Sequence, residues 1–199
     1  MASKIKVDQI QTADGTGTIA LQNQLSGMTT ASLPTITTDK LGAGAVLQVV
    51  TNMPNLGSHS LSTSSWTEVS SSFRQAITPI YSNSKLIIEV LFMFGGNNSS
   101  NLTHFKIHDQ TNGADVELST AGSRQGVHGT ARQVDADLND VDMMYIQTVT
   151  TSANTNARTY GFYAKNESGT TAKYYFTGAS NSGALSHAKP IFKITEIKQ

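Results

Sequence analysis

Lys85-Leu86-Ile87-Ile88-Glu89-Val90-Leu91-Phe92-Met93-Phe94 is the stretch whose reading decides the fold. It is rich in β-branched and aromatic side chains and is closed by Gly95-Gly96-Asn97-Asn98, which reads as a strand and its stop. Apolar residues stand at both odd and even positions, so both faces of the strand are apolar and a central place in a sheet is expected. The apolar run Leu86 to Phe94 carries Glu89 and is far too short to span a bilayer.

Working outward, the neighbouring segments repeat the strand signal. Ala45 to Thr51 and Pro190 to Ile197 alternate or run apolar, and the second places the C-terminus inside a sheet. His104-Phe105-Lys106-Ile107-His108 alternates cleanly and is followed by the hairpin dipeptide Asn112-Gly113. Val141 to Val149, Arg158 to Lys165 and Ala172 to Thr177 are further strands, the last two flanking a turn over 166–171. Trp66 to Phe73 is looser, and Asp115 to Leu118 is short. About eight strands with turn signals between them, and no helical pattern of useful length, predict an all-β fold. Its simplest form is an antiparallel, jelly-roll-like β-sandwich over residues 45–199.

Residues 1–44 differ in kind. Lys4 to Ile10 alternates like a short edge strand, Asp14-Gly15 is a tight turn, and Ile19-Ala20-Leu21 is a second small apolar patch. Residues 26–44 hold Pro34, Gly42 and Gly44 among Thr and Ser and read as a linker. About forty extended residues reach on the order of 130 Å. Such a thin segment cannot bury its sparse apolar residues on itself. Ile5, Val7, Ile10, Ile19, Leu21 and Leu25 are therefore expected to be covered by copies of the chain, or by a larger body, as an extended N-terminal stem.

Composition narrows the function classes. Ser and Thr make up roughly a quarter of the 199 residues, well above ordinary usage, while charged residues are only 14%. The formal net charge is zero and no basic stripe is present, which argues against a nucleic-acid partner. Lys4 and Lys6 are not followed by an apolar core of the kind a signal peptide needs. The chain has no Cys, which excludes disulfides and thiolate metal sites and suits synthesis in a reducing cytosol. No cofactor motif is found: Gly42-Ala43-Gly44 lacks the Lys-Ser/Thr and the helix of a phosphate loop.

The opening Ser3-Lys4-Ile5-Lys6-Val7-Asp8-Gln9-Ile10-Gln11-Thr12, with Asp14-Gly15-Thr16-Gly17, resembles the start of bacteriophage tail-fibre-like virion proteins, notably those of marine and cyanobacterial phages. Leu33 to Thr37, Gly44 to Val50 and the closing Phe192 to Ile197 agree with it. The resemblance is specific over roughly the first fifty residues. It implies a homotrimer on a virion assembled in the host cytoplasm. An N-terminal segment would bind other virion proteins, and a C-terminal β-sandwich knob would contact the host surface. It supplies no catalytic residues, and no membrane insertion is expected.

Candidate chemistry is sparse. Asp135 to Asp142 begins like a calcium loop but has Asp140 where glycine is needed and Ile146 where the bidentate Glu belongs. His104 and His108 share a strand face with Lys106 between them, about 13 Å apart and too far to hold one metal ion. Glu68, Glu89, Asp109, Glu117 and Asp142 are carboxylates from which no pair stands out for glycan cleavage. His59, His128 and His187 sit singly in polar loops and are given no role. Among the aromatics, Trp66, Tyr163, Tyr174 and Tyr175 are the ones to follow. Adjacent Tyr174 and Tyr175 point to opposite strand faces, and an outward tyrosine can stack on a sugar ring. With Asn97, Asn98 and Asn101 in the polar loop that follows the strong strand, they are the candidate receptor contacts for a host-surface glycan.

The expectation is a non-enzymatic virion structural protein: a fibre or short spike. Two other roles fit the same features. A capsid decoration, cement or head-fibre protein would stabilise the phage head, and a free carbohydrate-binding module would use the N-terminus as a tail.

Overall fold

The computed structural model describes residues 36–56, 58–96, 102–118, 126–132, 142–167, 172–175 and 189–199. The chain divides into two compact units, Met1–Lys40 and Leu41–Gln199. The described part of the first contains a single 3-10 turn, Thr38–Lys40.

The second unit is an all-β sandwich of two antiparallel sheets. Its strands are β1 (Val46–Asn52), β2 (Ser58–Leu61), β3 (Thr67–Glu68), β4 (Arg74–Ile77), β5 (Lys85–Gly96) and β6 (Leu102–Asp109). They continue as β7 (Ala114–Asp115), β8 (Gly129–Arg132), β9 (Asp142–Thr151), β10 (Arg158–Asn166), β11 (Ala172–Tyr175) and β12 (Ile191–Ile197). In the first sheet the main order is β1-β12-β5-β9. The far half of β5 also pairs β11, which pairs β2. In the second sheet β10 lies between β6 and the successive short strands β3 and β4, and β6 pairs β7 and β8 on its other side. Orders β1-β12-β5-β9 and β4-β10-β6-β8 are those of an eight-stranded jelly roll.

β5 is the axis of the first sheet. It pairs β9 from Lys85↔Thr151 to Phe94↔Asp142 on one side, and β12 from Ile197↔Lys85 to Ile191↔Leu91 on the other. Leu86, Ile88, Val90, Phe92 and Phe94 point inward and are buried. They meet Phe105 and Ile107 of β6 and Tyr160 and Phe162 of β10 from the facing sheet. Phe92 lies 5.1 Å from Phe105 and 4.8 Å from Phe162, ring centre to ring centre. Fully burying each such ring stabilises the fold by roughly 1.5–3 kcal/mol.

Two local readings need correction, and a third gains its sheet assignment. Trp66 to Phe73 is not one strand. β3 ends at Glu68, Val69 and Phe73 are buried, the Phe73 N–H closes a turn on the Ser70 carbonyl, and β4 then begins. Val69 still donates its N–H to the Phe162 carbonyl at 2.9 Å, and the turn that follows carries Phe73 into the core. Asp115 to Leu118 shortens to β7, since Glu117 takes a positive φ of 42° that a strand cannot continue through. β10 and β11, read as flanking a turn, belong to different sheets.

One inward position on β12 is charged. Glu196 is fully buried, and its carboxylate accepts the backbone N–H of Ile80 at 2.8 Å, that of Tyr81 at 3.2 Å and the Gln48 amide at 2.6 Å. These bonds fasten the loop before β5 onto β12 and β1.

Candidate functional site

The stem residues Ile5, Val7, Ile10, Ile19, Leu21 and Leu25 and the loop residues Asn97, Asn98 and Asn101 lie outside the described residues. So does the acidic run 135–141; Asp142 opens β9. Tyr174 and Tyr175 are in β11, opposite His59 and Ser58 of β2 and Phe94 and Met93 of β5; their side chains are outside the described set. The described residues form the two outer faces of the sandwich.

The outer face of the first sheet follows from strand alternation. Since even residues of β5 point inward, odd ones point out, and directly opposed partners share their side. One cross-strand row is therefore Tyr145, Leu91 and Ile191, and another is Val149, Ile87, Thr195 and Val49. Ile197 and Val46 extend the patch at one end and Met143 at the other. Val46, Val49, Met143, Tyr145 and Val149 are 45–55% exposed, an unusual density of large apolar groups on one face.

A small polar group sits in the middle of this face. Lys193 Nζ is 2.6 Å from Glu89 Oε2. Tyr145 donates its hydroxyl hydrogen to Glu89 Oε1 at 2.8 Å, and Gln147 donates to the same hydroxyl at 3.1 Å. The bond to the carboxylate holds the Tyr145 pKa above its ordinary value. Glu89, Leu91, Tyr145, Ile191 and Lys193 line a shallow recess. The charges are thus paired with each other, and the apolar groups are what remains open.

The outer face of the second sheet is built differently. Lys106 points outward from β6 yet is buried, because Trp66 lies over it with the ring centre 4.7 Å from Nζ. Lys165 approaches the same ring at 5.0 Å. Lys106 Nζ and His108 Nδ1 both reach Asp115 Oδ1, at 2.6 Å and 2.7 Å. Burial alone would raise the Asp115 pKa, but the hydrogen bonds from Lys106 and His108 outweigh it and hold the carboxyl below its ordinary range. Across β10, Arg74 grips Glu68 through two 2.6 Å bonds. Gln110 folds over Gly161 to donate to Glu68 at 3.1 Å and to the Tyr163 hydroxyl at 2.9 Å. The Glu68 hydrogen bond raises the Arg74 pKa.

This arrangement assigns the sequence candidates. His104 and His108 share the outer face of β6 but are engaged separately, His104 with Thr130 at 2.9 Å and His108 with Asp115. Trp66 and Tyr163 come to one surface. The carboxylates do not: Glu68 is with Arg74, Glu89 with Lys193, Asp109 with Asn112, and Glu117 with Thr150. His128, given no role from sequence, is structural. Its Nδ1 accepts the Ile107 N–H at 2.9 Å, and burial pushes its pKa down. No local pattern marks it, because its partner lies 21 residues away.

No protein-family model matches the sequence, and no curated protein matches it. Among solved structures the chain is similar to a structure of infectious bursal disease virus, Gx strain, at 12% identity and a TM-score of 0.37 over 83% of this chain and 41% of that one. It is likewise similar to the infectious bursal disease virus VP2 subviral particle, at 13% identity and a TM-score of 0.38 over 83% of this chain and 42% of that one. The chain spans less than half the length of these two structures.

Proposed function

We propose that this chain is a bacteriophage virion structural protein, a fibre or short spike. Residues 1–44 attach to other virion proteins and join copies into a homotrimer, and the jelly roll of residues 45–199 forms the knob. The observation that carries the reading is the apolar outer face of the first sheet: a neutral domain with open valines, a methionine and a tyrosine on one face is built as a part of something larger. The resemblance of the first fifty residues to tail-fibre-like proteins supports the same place. The role is adhesive and mechanical rather than catalytic, since each described candidate carboxylate is engaged apart from the others.

Host contact falls to the second sheet and its loops in this reading. Trp66 and Tyr163 offer aromatic surface, with Gln110, Glu68 and Arg74 beside them as hydrogen-bonding groups of the kind a glycan uses. Repeated weak contacts from several copies gain strength through multivalency.

The test is the copy number in purified particles by quantitative mass spectrometry, with adsorption measured after deletion of the gene. A fibre is present in few copies and its loss abolishes adsorption. Absence from the particle overturns the reading, and hundreds of copies with adsorption intact replace it with a decoration protein.

A further inference from the structure

The outer face of the β9-β5-β12-β1 sheet is too apolar to be left to water, and its make-up restricts what covers it. The patch is four strands wide and as long as β9, with ten residues. β12 and β1 are shorter, with seven residues each, so at about 4.8 Å between strands and about 3.4 Å per residue the face is roughly 19 Å wide and 24–34 Å long, near 550 Å² before side-chain relief is added. Stable protein interfaces bury about 800 Å² per partner, so this one face supplies most of a standard contact.

Its charge is close to balanced, with Lys85, Glu89 and Lys193 together carrying +1. Glu89 and Lys193 are paired, Lys85 lies at the margin on Thr151, and the whole chain has a net charge of zero. A face of this kind does not select an acidic or a basic partner, and it does not repel a copy of itself. It also combines protruding groups, Met143 and Val149, with the recess beside Leu91 and Ile191. A surface carrying both relief and recess can meet its own kind in a closed symmetric assembly.

We infer that this face is an interface between copies of the chain, so that the knobs pack on each other through β9, β5, β12 and β1. This rests on the self-assembly reading above and adds a second contact to the one placed in the stem. The outer face of the second sheet, with its self-satisfied polar network, then points away from the assembly.

Because the chain has no Cys, a single introduced thiol reports on each face. The full-length protein would carry Val149→Cys, Val49→Cys or, as control on the outer face of the second sheet, Ala76→Cys. Labelling by a maleimide at tens of micromolar protein is followed alongside light-scattering mass. The expected result is a multimeric mass with labelling at positions 149 and 49 slowed about tenfold or more against position 76, since the thiols react only on opening. The use of two positions covers the case where one variant folds poorly. Equal rates in a multimer overturn the inference while leaving stem-driven assembly intact. A monomer, at any labelling rate, overturns it as well. The particle copy number tests the virion role independently of either result.

Discussion

The two outer faces of the sandwich contain the same kind of ion pair and use it in opposite ways. Lys106–Asp115 and Lys193–Glu89 are both 2.6 Å contacts between a strand lysine and a carboxylate. On the second sheet the lysine side chain is 8% exposed, lies under Trp66 and belongs to a network reaching Tyr163 and His108. On the first sheet it is 37% exposed, and the pair is an island among open apolar groups. Identical contact distances therefore say little about energy. What surrounds the pair decides whether it holds the domain together or merely neutralises the middle of an open apolar surface.

The largest effect expected from this contrast is on stability. Lys106→Met should lower the unfolding free energy by about 1–3 kcal/mol, because it leaves the Asp115 carboxylate to His108 alone and removes the cation beneath Trp66. Lys193→Met should cost no more than about 1 kcal/mol. Urea unfolding of both variants measures the difference, and equal losses would break the comparison.

Gly161→Ala comes next. An added Cβ at this position falls 3.0 Å from Glu68 Oε1 and collides with the Gln110 amide. Gln110 must swing away, giving up its bonds to Glu68 and Tyr163, for a loss of about 1 kcal/mol. The same urea experiment reads it, and Gly161→Ala should cost almost nothing more in a Gln110→Ala background, where those bonds are already gone.

The legible part of this molecule is the part whose signal is local. β5, β6, β9, β10 and β12 carry their own alternation or apolar run, so their existence and the sandwich follow from sequence. β2 and β8 do not: Ser58-His59-Ser60-Leu61 and Gly129-Thr130-Ala131-Arg132 become strands only because β11 and β6 offer ladders to pair with. The apolar residues on both faces of β5 pointed correctly to a central strand. They did not reveal that Ile87 and Leu91 face outward rather than toward a second layer, since periodicity cannot distinguish a face covered within the chain from one left open. Trp66 and Tyr163 stood out as aromatics, but the lysine bed under Trp66 joins positions 40 and 99 residues away in sequence and has no local mark.

Titration separates the faces further. His104 and His128, both of the second sheet, have pKa values lowered from the ordinary 6.5, His104 by burial and then Lys165, His128 by burial. The unfolded chain takes up protons at these imidazoles near pH 6.5 while the folded chain resists until lower pH. Their neutral forms therefore contribute full stability above 6.5, and that contribution is lost as pH falls from there toward the folded values. Asp115, lowered from 3.8, adds a second loss as pH falls through that region. Stability measured from pH 7.5 to 5 should decline, and His128→Gln should flatten the decline. An unchanged slope would contradict the structural role of His128.

The smallest effect on the domain itself is expected on the open face. Val149→Thr should change urea stability at low protein concentration by less than about 0.5 kcal/mol. It should nonetheless weaken self-association, which a dilution series would follow.

Light-scattering mass of the full-length protein at micromolar concentration tests the central claim most directly. The account predicts a closed multimer, with a mass near three times 21.2 kDa. A mass of 21.2 kDa at every concentration would contradict it.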